Sequence, residues 1–192
     1  TASGISYAVS TGIWGDTNII TVSSENFNLL LILVVSFLAG PIFGLIAIIY
    51  MNSLLFFAKL ANYPKLQVFY KYSFCILSLS IIGHFMPEVM GLGTETVSGI
   101  LYSSYTLIFL VIILLGKIIA TSISLNFGFF GGVFSPAILV GAAAGAVVSA
   151  LLVTLGIFED FQQALVISGI AAVAGAVIGA PICMVIIVLE LT

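Results

Sequence analysis

The residues best placed to do chemistry lie in the run Gly131-Gly132-Val133-Phe134-Ser135-Pro136, and the chemistry would belong to the backbone. Gly131 and Gly132 interrupt a helix, and Pro136 fits the first turn of a new one, where a missing N–H costs nothing. A helix therefore starts near Val133 or Phe134. Its first N–H groups have no partner inside the helix, and the helix dipole places roughly half a positive charge there. That start is a natural anion seat, with Gly131, Gly132, Ser135 and Pro136 shaping it. The glycines let an ion reach the backbone, and Phe134 can wall it from lipid. No Lys or Arg follows Lys117. Peptide dipoles, unlike a fixed cation, hold an anion and still release it. The same composition also fits an ordinary loop between two spans.

Other reactive side chains are sparse. Glu190 is a carboxylate in an apolar segment, by default a functional candidate. Lys117 is expected to snorkel or to pair with a carbonyl. The single histidine, His84, reads as a packing residue near an interface. Tyr102 and Tyr105 fit an aromatic belt. Cys75 and Cys183 both sit in apolar runs and read as buried free thiols, without a disulfide or a metal site. An intramembrane enzyme needs paired acids, a Ser/His arrangement or a metal cluster, and the sequence suggests none of these. The reading is therefore not an enzyme.

The elements that must position the seat are membrane helices. The chain is 62% hydrophobic and only 6% charged, with a mean hydropathy of +1.37, too few polar groups to cover a soluble surface. Uncharged stretches run over Asn26–Ala58, Thr96–Gly116, Ile118–Phe158 and Phe161–Leu189, each enough for a span of about 20 residues. A shorter one covers Tyr72–Met86. Residues 1–13 read as the end of a preceding helix and 14–28 as a polar loop. Gly40-Pro41 predicts a kink, and Tyr105–Thr121 a span with Lys117 near its end. Ser122–Gly132 reads as irregular. Gly40 with Gly44, the series Ala137, Gly141, Gly145 and Ser149, and Gly175 with Gly179 each place small residues on one face for close helix contact. Lys59, Lys65 and Lys71 share one loop, which the positive-inside tendency assigns to the cytoplasm, with Glu88 and Glu95 on the opposite face.

The order of motifs adds a resemblance. Gly132-Val133-Phe134-Ser135-Pro136, followed by Leu139, Gly141 and Gly145, resembles the GxFxP signature of the CLC chloride channel and chloride/proton antiporter family. Pro87 to Gly93 is similar to its P-x-x-x-G-x-G turn, Gly116-Lys117 with Thr121 to its G-K-x-x-x-T helix, and Ala180-Pro181 through Val188-Leu189-Glu190-Leu191-Thr192 to its A-P-…-V-L-E-x-T helix. The resemblance implies an all-α, polytopic inverted-repeat fold with broken or re-entrant helices. Residues 1–192 would then be a partial transmembrane domain, with 27–192 its second repeat, truncated at the C-terminus. It implies chloride as the ligand, held by the amides of Val133 and Phe134, and no other cofactor. Glu190 would lie on a helix near the subunit interface, which implies a structural, hydrogen-bonded role over a proton relay.

The implied partners are the lipid bilayer, the N-terminal half of the same subunit and a second copy in a homodimer, with no nucleic acid. The setting would be the cell membrane. A voltage-gated channel and an H+/Cl- antiporter both fit, and so does a secondary transporter for another anion such as fluoride or an organic anion. Phe127-Gly128-Phe129-Phe130-Gly131 stands where many bacterial members of the family carry Ser-Gly-Ala-Pro, so Phe129 and Phe130 bear on ion preference.

Overall fold

A computed structural model describes residues 29–62, 68–102, 105–156 and 162–191. The expected helix tail at 1–13, the loop at 14–28, Lys65 and the side chain of Glu190 lie outside the described residues. Among the described residues seven α-helices follow one another: α1 Leu29–Ala61, α2 Val68–Phe85, α3 Thr94–Leu101, α4 Leu107–Phe127, α5 Phe134–Thr154, α6 Gln162–Ile178 and α7 Pro181–Leu191. A 3-10 turn, Pro87–Val89, links α2 to α3, and no strand occurs among the described residues. Among the described residues four helices are long and apolar enough to cross a membrane, those at Leu31–Ala61, Val68–Phe85, Leu107–Phe127 and Phe134–Thr154. The fold is that of an all-α, multi-pass integral membrane protein.

Local chemistry sets the boundaries. Pro87 disfavours helical backbone in the residue before it, and Met86 at φ −144°, ψ 70° ends α2. Gly93, in the left-handed region at φ 80°, opens α3. Gly179 (φ 75°) stops α6, its N–H donating to the Gly175 carbonyl at 3.0 Å, and Pro181 takes the first position of α7.

Several expected boundaries move. The stretch Thr96–Gly116 is divided between α3 and α4, and α4 runs on to Phe127, so Lys117 sits mid-helix and Ser122–Phe127 are helical. The residues that suggested irregularity are satisfied without breaking the helix. Asn126 Nδ2 donates to the Ser122 carbonyl at 2.8 Å and to the Leu54 carbonyl of α1 at 3.1 Å. Ser53 and Ser122 share a hydroxyl hydrogen bond of 3.0 Å. Phe161–Leu189 is likewise split by the turn at Gly179, leaving 17- and 11-residue helices. Pro41 lies within an uninterrupted α1.

α5 is the centre of the fold. It packs against α6 on one side and α4 on another, while α1 lies across α4 and α6. Ala137, Gly141, Gly145 and Ser149 are all buried, and the predicted smooth face meets the backbone of α6. A Cβ on Gly141 would lie 2.6 Å from the Gly169 carbonyl oxygen, and one on Gly145 would strike the Leu165 carbonyl. In lipid, where hydrophobic contrast between helices vanishes, such close backbone packing supplies the association. Gly40 and Gly44 make no comparable contact, since nothing among the described residues lies within 4 Å of a Cβ built on either. Gly175 packs on Pro181 of α7, and Gly179 serves the turn instead of a helix face. Cys75 is buried, but Cys183 is exposed on α7, contrary to the expectation of two buried thiols.

Candidate functional site

The break between α4 and α5 is made by Gly128. At φ 127° it caps α4, and the Tyr72 ring of α2 occupies the space a Cβ would need. Its N–H and that of Phe129, the latter at 3.1 Å, both donate to the Ser124 carbonyl. Irregular backbone then leads to α5, whose cap residue is Val133 at φ −84°, ψ −16°, with no side chain capping the start. The Val133 carbonyl accepts from Ala137 N–H at 3.1 Å, the first bond of the helix. Pro136 has no N–H to offer. The amides of Val133, Phe134 and Ser135 have no hydrogen-bond acceptor among the described residues.

The start itself is partly open, with Phe134 41% exposed, and the helix enters protein just beyond it. Ala137, Leu139 and Val140, within the first two turns, are fully buried. Irregular backbone in a membrane protein is tolerated where it is buried in protein or lines a cavity. A cavity of about 440 Å³ lies here, lined by Gly131, Gly132, Phe134, Ser135 and Pro136. Its other walls come from Leu79 of α2, the turn Val89–Leu92, and Lys117, Ala120, Thr121, Ser124 and Leu125 of α4. Val133 is half-buried and does not itself line the space.

Among the described residues the wall carries one charge, that of Lys117, and no carboxylate. Lys117 is buried, and its ammonium donates to the carbonyls of Val89 and Gly91, each at 2.8 Å. It neither snorkels nor sits at a helix end. Gly116 beside it keeps α4 smooth where Met86 and Val89 press in, a Cβ there lying 3.0 and 3.1 Å from their side chains. Ser135 Oγ donates to the Leu92 carbonyl at 2.7 Å. The field on the cavity is therefore positive from two sources, the open amides of α5 and a buried ammonium. Acids stay outside it: Glu88 and Glu95 line a neighbouring cavity of about 530 Å³.

Sequence reasoning placed the seat at the start of α5 but kept Lys117, Thr121 and the Val89–Leu92 turn apart from it. The signal was present in Gly116-Lys117 with Thr121, which puts the lysine and the threonine one helical turn apart on one face of α4. Other candidates fall elsewhere. His84 stacks edge-on against Phe85 with ring centres 5.2 Å apart. Tyr105 packs on Gly99 and Phe109, and Tyr102 is exposed. Among the described residues no group of His, Cys, Asp and Glu could hold a metal ion.

Known proteins match this chain. All of residues 1–192 fit the family described as voltage gated chloride channel. An uncharacterized protein of Methanocaldococcus jannaschii is 32% identical over 118 residues, covering 58% of this chain and 28% of that protein. An H(+)/Cl(-) exchange transporter of Vibrio parahaemolyticus is 30% identical over 112 residues, 56% of this chain and 23% of the transporter. The exchange transporter of Vibrio campbellii is 27% identical over 116 residues. The matched stretch thus spans about a quarter of the length of these relatives.

Proposed function

The chain belongs to the voltage-gated chloride channel family, matched over its whole length, and on that premise we propose that it carries one side of a chloride pathway. The anion is held by the backbone amides of Val133 and Phe134 at the start of α5. Gly131, Gly132, Ser135 and Pro136 shape the approach. Residues 27–192 act as the second inverted repeat of a transmembrane domain, completed by the N-terminal half of the same subunit and paired with a second copy in the cell membrane. Exchange of chloride for protons is favoured over channel conduction, because the Vibrio relatives are H(+)/Cl(-) exchange transporters.

The observation that carries this reading is the set of amides at Val133, Phe134 and Ser135 without an acceptor, beside a cavity whose wall has no carboxylate. N–H groups left without an acceptor offer an anion in the seat donors that cost no internal bond to recruit. The ion gains from donors already fixed in place, with little reorganisation as it arrives or leaves.

Val133→Pro tests the assignment. Proline deletes one N–H while accepting a φ near −65°, close to the −84° of Val133. Chloride flux from vesicles holding the intact protein should fall at least about tenfold, the cost of one charge-assisted hydrogen bond. Flux at the wild-type rate would remove the seat from Val133.

A further inference from the structure

Resting on that reading of the seat, we propose that Lys117 is a positioning residue for the anion site, acting through the Val89–Leu92 turn on the first turn of α5. The turn is a strut between two helices. On the α4 side, two of the three ammonium N–H groups of Lys117 clamp the Val89 and Gly91 carbonyls at 2.8 Å each. On the α5 side, the next carbonyl, that of Leu92, accepts from Ser135 Oγ at 2.7 Å. Gly93 then lies against Leu139, where a Cβ would come within 2.8 Å of Leu139 Cδ2.

The turn cannot hold this shape by itself. Gly91 and Gly93 both take left-handed backbone, at φ 65° and 80°, which turns successive carbonyls in different directions. Two of those carbonyls meet the lysine and one meets the serine. An ammonium offers donors without a fixed plane, so one Lys can satisfy two carbonyls that diverge. Without it, the buried Val89 carbonyl would be left without a partner and the more exposed Gly91 carbonyl would lose its clamp, and the turn would move to find others. Such a shift reaches Ser135 directly, and Ser135 is the residue after Phe134. A seat built from backbone amides has no side chain that can reorient to compensate, so its affinity depends on where that first turn stands.

The test is chloride affinity of the intact purified protein by titration calorimetry, for wild type, Lys117→Met, Lys117→Arg, Ser135→Ala and the Lys117→Met/Ser135→Ala double variant. Met keeps the length of the lysine stem without its donors. Lys117→Met should weaken binding about tenfold and Ser135→Ala several-fold. The double variant should be no weaker than Lys117→Met, since both act along one path, and Lys117→Arg should recover most of the loss. Effects that multiply in the double variant, or wild-type affinity in both single variants, would overturn the proposal. Should Lys117→Met fail to fold, Ser135→Ala decides alone: unchanged affinity there breaks the path. A wild type that binds no chloride overturns the seat itself and this inference with it, whereas a wild type that binds beside unaffected variants overturns the inference only.

Discussion

Gly141 of α5 and Gly169 of α6 stand so close that neither helix has room for a methyl group at the crossing: a Cβ on Gly141 would sit 2.6 Å from the Gly169 carbonyl oxygen and 2.7 Å from Ile170 Cα. The obstacle is backbone on both sides, so no rotamer change relieves it. α5 is thereby fixed about two turns beyond its open start, and the position of the seat depends on this crossing.

Gly141→Ala and Gly145→Ala should each destabilise the protein by about 1–3 kcal/mol, toward the upper end because backbone must yield. Thermal unfolding in detergent measures this. An unchanged midpoint for both would mean that the two helices do not approach closely in the intact protein.

A second contrast lies in the break itself. Gly128 combines φ 127° with a Tyr72 ring over its missing side chain, whereas Gly132 has neither a positive φ nor any atom within 4 Å of a built Cβ. Gly128→Ala should therefore lose about 1–3 kcal/mol from backbone strain, plus the displacement of Tyr72. Gly132→Ala should stay within about 0.5 kcal/mol. Equal unfolding midpoints for the two variants would contradict the different duties assigned to these glycines.

The difference between local and distant information explains what could be read in advance. The helix start at Phe134 was legible because Pro fixes its own backbone for a first turn and Gly frees the backbone to leave a helix. The Ala137-to-Ser149 stripe was legible because its period is that of a helix. The extent of α4 was not: Ser122 and Asn126 look like breakers until α1 brings Ser53 and the Leu54 carbonyl to meet them. The same holds for Lys117, whose partners Val89 and Gly91 lie 28 and 26 residues earlier. Gly40 and Gly44 carried the right spacing without the neighbour that would give it meaning. Spacing on one helix says which residues share a face, and only the packed partner says what that face does.

The last prediction concerns a group the proposed function leaves unused. Tyr50 of α1 is fully buried, and its hydroxyl makes no well-formed hydrogen bond among the described residues, the Thr121 side chain of α4 being the polar group beside it. A hydroxyl held away from water without a partner costs about 1–3 kcal/mol, while its ring still fills the space against its neighbours. Tyr50→Phe keeps the ring and removes the cost, so the variant should unfold at the same temperature as wild type or higher, by up to about 1 kcal/mol of stability. Chloride flux should be unchanged, because Tyr50 does not line the cavity beside α5. A loss of stability would instead mean that the hydroxyl bonds to Thr121 or to another acceptor in the intact protein, and the size of that loss would measure the bond.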